Sequence, residues 1–301
     1  MTVIDAHHHV WDLAVRDQPW LDGDAMAPIR RRFTVDDLRP DARAAGVGAT
    51  VLVQTVTVAE ETPEMLALAG GDPLVAGVVG WTDLTSQAIA DELARLTAGP
   101  GGEHLVGIRH QVQSEPDPDW LRRPDVIRGL RAVAAAGLCY DLVVLPHQIP
   151  AASYAAAVVP GLTLVLDHAG KPRIDGGDLG AWQAAVREFA GLPNTACKLS
   201  GLVTEAPAGA APSAFAVVAD AVLDAFGAGR VMFGSDWPVC LLVSDYAGVF
   251  GLARSLTAGL SAAEQAAVFG GTAARAYRLA ERAGAAGAGE GHSEAGAGPW
   301  H

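Results

Sequence analysis

The chain has 301 residues, 50% hydrophobic and 18% charged, a balance that excludes disorder and allows one large α/β domain or two small ones. A formal net charge of −13 argues against a general nucleic-acid or anionic-membrane partner, since either needs a basic face, and leaves a small molecule as the expected partner. Cys139, Cys197 and Cys240 are far apart, lack CxxC spacing and sit in apolar runs, so they read as reduced buried thiols; with no leader-like segment and no uninterrupted apolar stretch of ~18 residues, a cytoplasmic setting is expected.

The first expected strand, Val3 to His7, runs into Asp5-Ala6-His7-His8-His9-Val10-Trp11. Along an extended strand residues i and i+2 share a face, so His7 and His9 converge while His8 points away, and the pair can hold a metal ion. A purification tag is the bland reading of such a cluster, but tags do not sit between apolar strand residues. A long loop, Val10 to Phe33, follows; it carries the basic run Arg30-Arg31-Arg32 and is long enough to fold over a neighbouring site.

Helical and strand patterns then alternate. Helices are expected over Thr34 to Ala45, Glu61 to Ala69, Ser86 to Leu96, Pro124 to Ala136, Leu179 to Gly191 and Pro212 to Phe226, with Asp83 as a cap ahead of Ser86. Strands are expected over Thr50 to Gln54, Val75 to Trp81, Val106 to His110, Leu138 to Val144, Thr163 to His168, Thr195 to Leu199 and Val231 to Ser235. The Gly/Ala-rich stretch 283–301 has no periodicity and reads as a disordered tail, so its His292 and His301 are discounted as ligands and the folded domain is expected over 1–282.

With the first, these make eight strands in β/α alternation, which predicts an α/β fold, a single-domain (β/α)8 TIM barrel. A doubly wound open sheet is the runner-up, but it would carry a Gly-rich loop where the histidine cluster stands. In a barrel the active site lies at the C-terminal ends of the strands. There the sequence places His7, His9, Gln54, Trp81, Asp83, Arg109, His110, His147, Asp167, His168, Lys171, Lys198, Ser200 and Asp236. A lone strand-end histidine or acid is usually a cap or loop anchor, whereas His7-x-His9, His168 and Asp236 would surround one barrel mouth.

The segments Asp5 to Trp11, Gly107-Ile108-Arg109-His110, Asp167-His168-Ala169-Gly170-Lys171-Pro172, Cys197 to Leu202 and Gly234-Ser235-Asp236-Trp237-Pro238 resemble the lactonase branch of the amidohydrolase superfamily. The resemblance spans residues 3 to about 280. It implies a barrel hydrolase in which His7, His9 and Asp236 hold one divalent metal, commonly zinc, or a related site that works without metal. It implies further that Asp236 deprotonates the attacking water and that His168 either ligates the metal or binds the substrate carbonyl. Strand four ends in Arg109-His110 and supplies no carboxylate or lysine bridge, so a two-metal centre is not expected.

Opening a lactone needs an activated water, stabilisation of the oxyanion and orientation of the ring ester. A divalent ion on neutral imidazoles, zinc or manganese, with a carboxylate beside it, supplies the first two. Arg109 and Lys171 add positive charge suited to an oxygen-rich substrate, with an ion pair to Asp83, Asp167 or Asp236 as the competing reading. His147, Trp81 and Gln54 complete the expected substrate contacts, while Lys198 reads equally as a pocket wall or a buried ion-pair partner and His110 as structural. Two other functions fit the same residues less well: a metal-dependent decarboxylase of an aromatic or enol acid, and a barrel that binds a small molecule without turnover. Oligomeric state is not legible.

Overall fold

A computed structural model describes residues 2–175 and 177–279. The tail expected over 283–301, and the boundary at 282, lie outside the described residues.

The strands β1 (Val3–His8), β2 (Val47–Val53), β3 (Val75–Gly80), β4 (Leu105–His110), β5 (Cys139–Leu142), β6 (Leu164–Leu166), β7 (Thr195–Leu199) and β8 (Val231–Phe233) form one parallel sheet in sequence order. The two ends of the sheet meet through a parallel bridge between His8 and Trp237. Backbone hydrogen bonds reinforce that seam, from Asp236 N to His7 O at 2.8 Å and from His9 N to Trp237 O at 2.7 Å. A helix follows each strand: α1 (Val35–Ala44), α2 (Glu61–Gly71), α3 (Ile89–Ala98), α4 (Pro124–Ala135), α5 (Ile149–Val158), α6 (Gly180–Ala190), α7 (Pro212–Phe226) and α8 (Tyr246–Leu256). Two short helices, α9 (Ala262–Ala266) and α10 (Thr272–Ala276), close the described chain. No helix among the described residues is long and apolar enough to cross a membrane. The (β/α)8 barrel expected from the alternation is the fold.

Local chemistry explains where elements start and stop. Thr34 accepts from Asp37 N and the Asp37 carboxylate accepts from Thr34 N, a reciprocal cap that starts α1. Helix α3 begins at Ile89 rather than at Ser86, because Asp83 Oδ1 accepts from Thr85 N at 2.8 Å and closes a turn of its own. Helix α5 was not expected: Ile149, Ala151, Ala152, Ser153, Ala155 and Ala156 are buried and the exposed positions are Pro150, Tyr154 and Ala157, so no charged stripe reveals the helical period. Strands β6 and β8 end before His168 and Asp236, because both residues adopt positive φ, 54° and 56°.

Two apolar cores result. The larger lies between strands and helices; the smaller fills the barrel with Ile4, Ala6, Val51, Val53, Val79, Val106, Cys139, Val165, Ala196 and Met232, drawn from all eight strands and plugged by Tyr277 and Leu279. Two residues further along their strands, on the same face, come Asp141, Asp167 and Lys198. The barrel interior is therefore apolar below and charged above, and the charged layer supports the site.

Candidate active site

The HxH pair sits at the end of β1, where a register irregularity between Asp5 and His8 shifts the strand. The Asp5 carboxylate accepts from His7 N at 3.1 Å, Ser235 N at 2.8 Å and the Tyr246 hydroxyl at 3.1 Å, tying the HxH segment to the loop that carries Asp236. Close approach also dictates two glycines. A Cβ at Gly234 would lie 2.7 Å from His7 Cβ, and one at Gly201 (φ 66°) would lie 2.5 Å from His168 Nδ1.

Four side chains converge above the charged layer. His7 Nε2 is 3.1 Å from His9 Nε2 and 3.7 Å from Asp236 Oδ1, while His9 Nε2 and His168 Nε2 approach the same oxygen to 3.5 and 4.0 Å. His9 Nδ1 lies 2.7 Å from the Val53 carbonyl, which can only accept, so in the neutral ring Nδ1 carries the hydrogen and Nε2 is a bare lone pair. That lone pair faces a carboxylate oxygen, an arrangement that calls for a cation or proton between them. His168 Nδ1 bonds Ser200 Oγ at 2.9 Å, which turns its Nε2 to the same centre. Three imidazoles and one carboxylate, with His9 and His168 each oriented by a partner behind the ring, fit a divalent cation by donor chemistry. His8 points elsewhere, as strand alternation requires; it is buried, neither ring nitrogen has a partner, and burial pushes its pKa down to about 3.

Burial also lowers the His168 pKa to about 4, so the ring is neutral at pH 7. Burial alone would raise the Asp236 carboxyl, but His168, His9 and His7 outweigh it and hold the group well below the usual carboxylate range. Burial likewise holds His7 well below the usual imidazole range, so two neutral rings face an ionised acid.

The expected substrate contacts separate into two groups. A cavity of about 380 Å³ is lined by His9, His168, Asp236, Arg109 and Lys171, together with Thr55, Gln111, Gln113, Thr204 and Glu205. Trp20 and Met26 cap it, so the Val10 to Phe33 loop does fold over the mouth. Its basic run serves the loop itself: Arg30 donates to the Leu21 and Gly23 carbonyls, Arg31 stacks on Phe33 and Arg32 pairs with Asp12.

Arg109 reaches the cavity with its donors taken. Nε and Nη2 bond Gln54 Oε1 at 3.2 and 2.8 Å, Nη2 also bonds Gln54 O at 2.5 Å, and Nη1 bonds Asp167 Oδ2 at 3.0 Å. The ion-pair alternative describes these contacts, and a substrate carboxylate would find no free guanidinium edge. Gln54 is fully buried behind Arg109 and outside the cavity lining. Trp81 also lies outside the lining, because its Nε1 donates to His110 Nδ1 at 3.0 Å. His110 in turn stacks on Trp120 and meets Glu115, a structural cluster.

His147 is exposed and lies outside the cavity lining, since the turn after β5 leads outward into α5. His147→Ala is therefore expected to leave kcat/KM within about twofold of the parent in steady-state kinetics, like most surface substitutions.

Lys198 is fully buried, 2.5 Å from Asp141 and 3.0 Å from Asp167, with His7 Nδ1 at 3.1 Å. Asp141, which also accepts from Tyr277, was not foreseen; a single acid in the apolar run Cys139 to Val144 was the signal available.

Residues 4–279 match the family model described as Amidohydrolase. The chain belongs to the amidohydrolase family. It is 42% identical over 292 residues to an L-fucono-1,5-lactonase of Burkholderia multivorans, covering 93% of this chain and 97% of that protein. Two crystal structures of an amidohydrolase from Burkholderia multivorans superpose on 93% of this chain and all of theirs. One, with HEPES bound, has a TM-score of 0.88 at 40% identity; the other, with zinc bound, has 0.87 at 41%.

Proposed function

We propose that this chain is a lactonase that opens the ring ester of a small, oxygen-rich sugar-acid lactone of the L-fucono-1,5-lactone kind. The observation that carries the reading is that Nε2 of His7, His9 and His168 lies 3.5 to 4.0 Å from one oxygen of Asp236, and that His9, His168 and Asp236 line a cavity of about 380 Å³. Similarity to an L-fucono-1,5-lactonase along nearly the whole chain supports it.

His7, His9 and Asp236 would hold one divalent ion, zinc or manganese, and the zinc in a similar structure supports that assignment. When bound, such an ion lowers the pKa of water towards ~7 and polarises a carbonyl. Asp236, ionised at neutral pH, accepts the proton of the attacking water and passes it to the ring oxygen as that oxygen leaves. His168 completes the donor set or, with Nε2 protonated, hydrogen-bonds the lactone carbonyl. Arg109 holds Asp167 and Gln54 in place, and through Asp167 steadies His7, 3.5 Å away. Trp20 and Met26 limit water above the ring. The buried thiols of Cys197 and Cys240 support a cytoplasmic enzyme.

A pH-indicator assay against aldonolactones tests the reading. Acid release is expected, falling at least about tenfold on chelation and returning with zinc or manganese. Acid release indifferent to chelation would retain the lactonase and remove the metal. Carbon dioxide release from an aromatic or enol acid, with silence across the lactones, would replace the reading by decarboxylation.

A further inference from the structure

Apart from its imidazoles, the cavity is lined by two cationic side chains among the described residues, Arg109 and Lys171. Arg109 is committed to Gln54 and Asp167. Lys171 Nζ lies 3.0 Å from Glu205 Oε1, and the two side chains are 21% and 20% exposed. They come from different loops, Lys171 from the positive-φ turn after β6 and Glu205 from the turn after β7. A backbone bond from Ile174 N to Glu205 O, 3.0 Å, joins those loops independently of the side chains. The ion pair is thus not needed to hold the rim together, and pairs this exposed contribute little to stability.

Its effect is on the charge a ligand meets. Both cations already have acidic partners, and Asp236 adds a further negative charge to the lining of the same cavity. A lactone bearing a carboxylate would lose water without gaining an unpaired cationic side chain, which is unfavourable. An uncharged lactone with hydroxyls finds ammonium hydrogens and a carboxylate acceptor side by side. The reaction also makes a carboxylate from a neutral ester, and an unpaired lysine beside the centre would retain that product.

We infer that Glu205 is a specificity-determining residue: by neutralising Lys171 it makes the site accept uncharged, hydroxyl-bearing lactones, turn away carboxylated ones and release the ring-opened acid. The inference rests on the lactonase reading for its kinetic arm only.

The experiment compares the full chain with Glu205→Gln, Glu205→Asp and the double variant Lys171→Met/Glu205→Gln. Steady-state kinetics uses an uncharged aldonolactone and the same ring carrying a carboxylate; calorimetry measures binding of the ring-opened acid. Glu205→Gln is expected to shift the kcat/KM ratio about tenfold towards the carboxylated lactone, and to tighten acid binding by a similar factor, as befits one uncovered, half-shielded charge. Glu205→Asp should keep the parent preference, and the double variant should return to it. The inference is overturned if Glu205→Gln leaves both the ratio and the acid affinity unchanged, or if the double variant keeps the gain. Should the parent open no lactone, the lactonase reading fails and calorimetry alone decides the role of Glu205.

Discussion

Asp236→Asn is expected to lower kcat by about a thousandfold, within the 10²- to 10⁴-fold range of a general base, while leaving the fold intact. Asparagine has the same shape and tolerates the positive φ of 56° at this position better than other replacements. The backbone bond from residue 236 to His7 O does not depend on the side chain. Loss of turnover with an unchanged thermal transition is the expected pair of results, read by steady-state kinetics and calorimetry. A variant retaining a tenth or more of the parent kcat would remove Asp236 from proton transfer. Metal analysis of the same sample separates its two proposed roles, since a base that is also a ligand should lose both turnover and metal.

Lys198→Met is expected to be the most damaging change to stability, at about 3–5 kcal/mol. The ammonium lies between Asp141 and Asp167, and all three side chains are fully inaccessible. Methionine fills the space but leaves two carboxylates facing each other out of water. Burial already pushes the Asp141 pKa up to about 6 from 3.8 against the pull of Lys198; without the lysine it must rise further. A raised folded-state pKa makes the folded protein bind more protons than the unfolded chain, so stability is lost as pH rises through it. The deficit of Lys198→Met should accordingly be smallest near pH 5 and grow towards pH 8. Denaturant melts across that range measure it, and adding Asp141→Asn should recover part of the loss. A deficit flat with pH would show that packing, not charge, dominates there.

Much of this was legible because the relevant rules are local. Alternation along β1 separates His7 and His9 from His8, and the strand-end rule for barrels gathers His168 and Asp236 to the same mouth. Ends of β7 and α7 also follow from apolar runs bounded by turn residues. What escaped depends on which loop faces which. Nothing near Lys171 in sequence points to Glu205, and nothing near Arg109 points to Gln54, because those partners are set by the closed ring of strands. Strands five, six and eight read too long for a related reason: β-prone residues continue past the last ladder bond, and in the sixth and eighth the positive φ of His168 and Asp236 then ends the strand. Helix α5 was hidden because its exposed face, Pro150, Tyr154 and Ala157, carries no charge to mark the period.

The seam where β1 meets β8 has a temporal meaning as well. Asp5 and Ser235, which bond across it, are 230 positions apart, and every other strand of the ring is made between them. At ~5–20 residues per second of synthesis, the histidine pair leaves the ribosome on the order of tens of seconds before Asp236 exists to join it. During that interval β1 has only its other neighbour, β2, to pair with, and the pair of histidines lacks its carboxylate. An ion held by His7, His9 and Asp236 would therefore be selected only at the last stage of assembly, when closing the ring brings the carboxylate to the pair and Asp5 ties the two segments together.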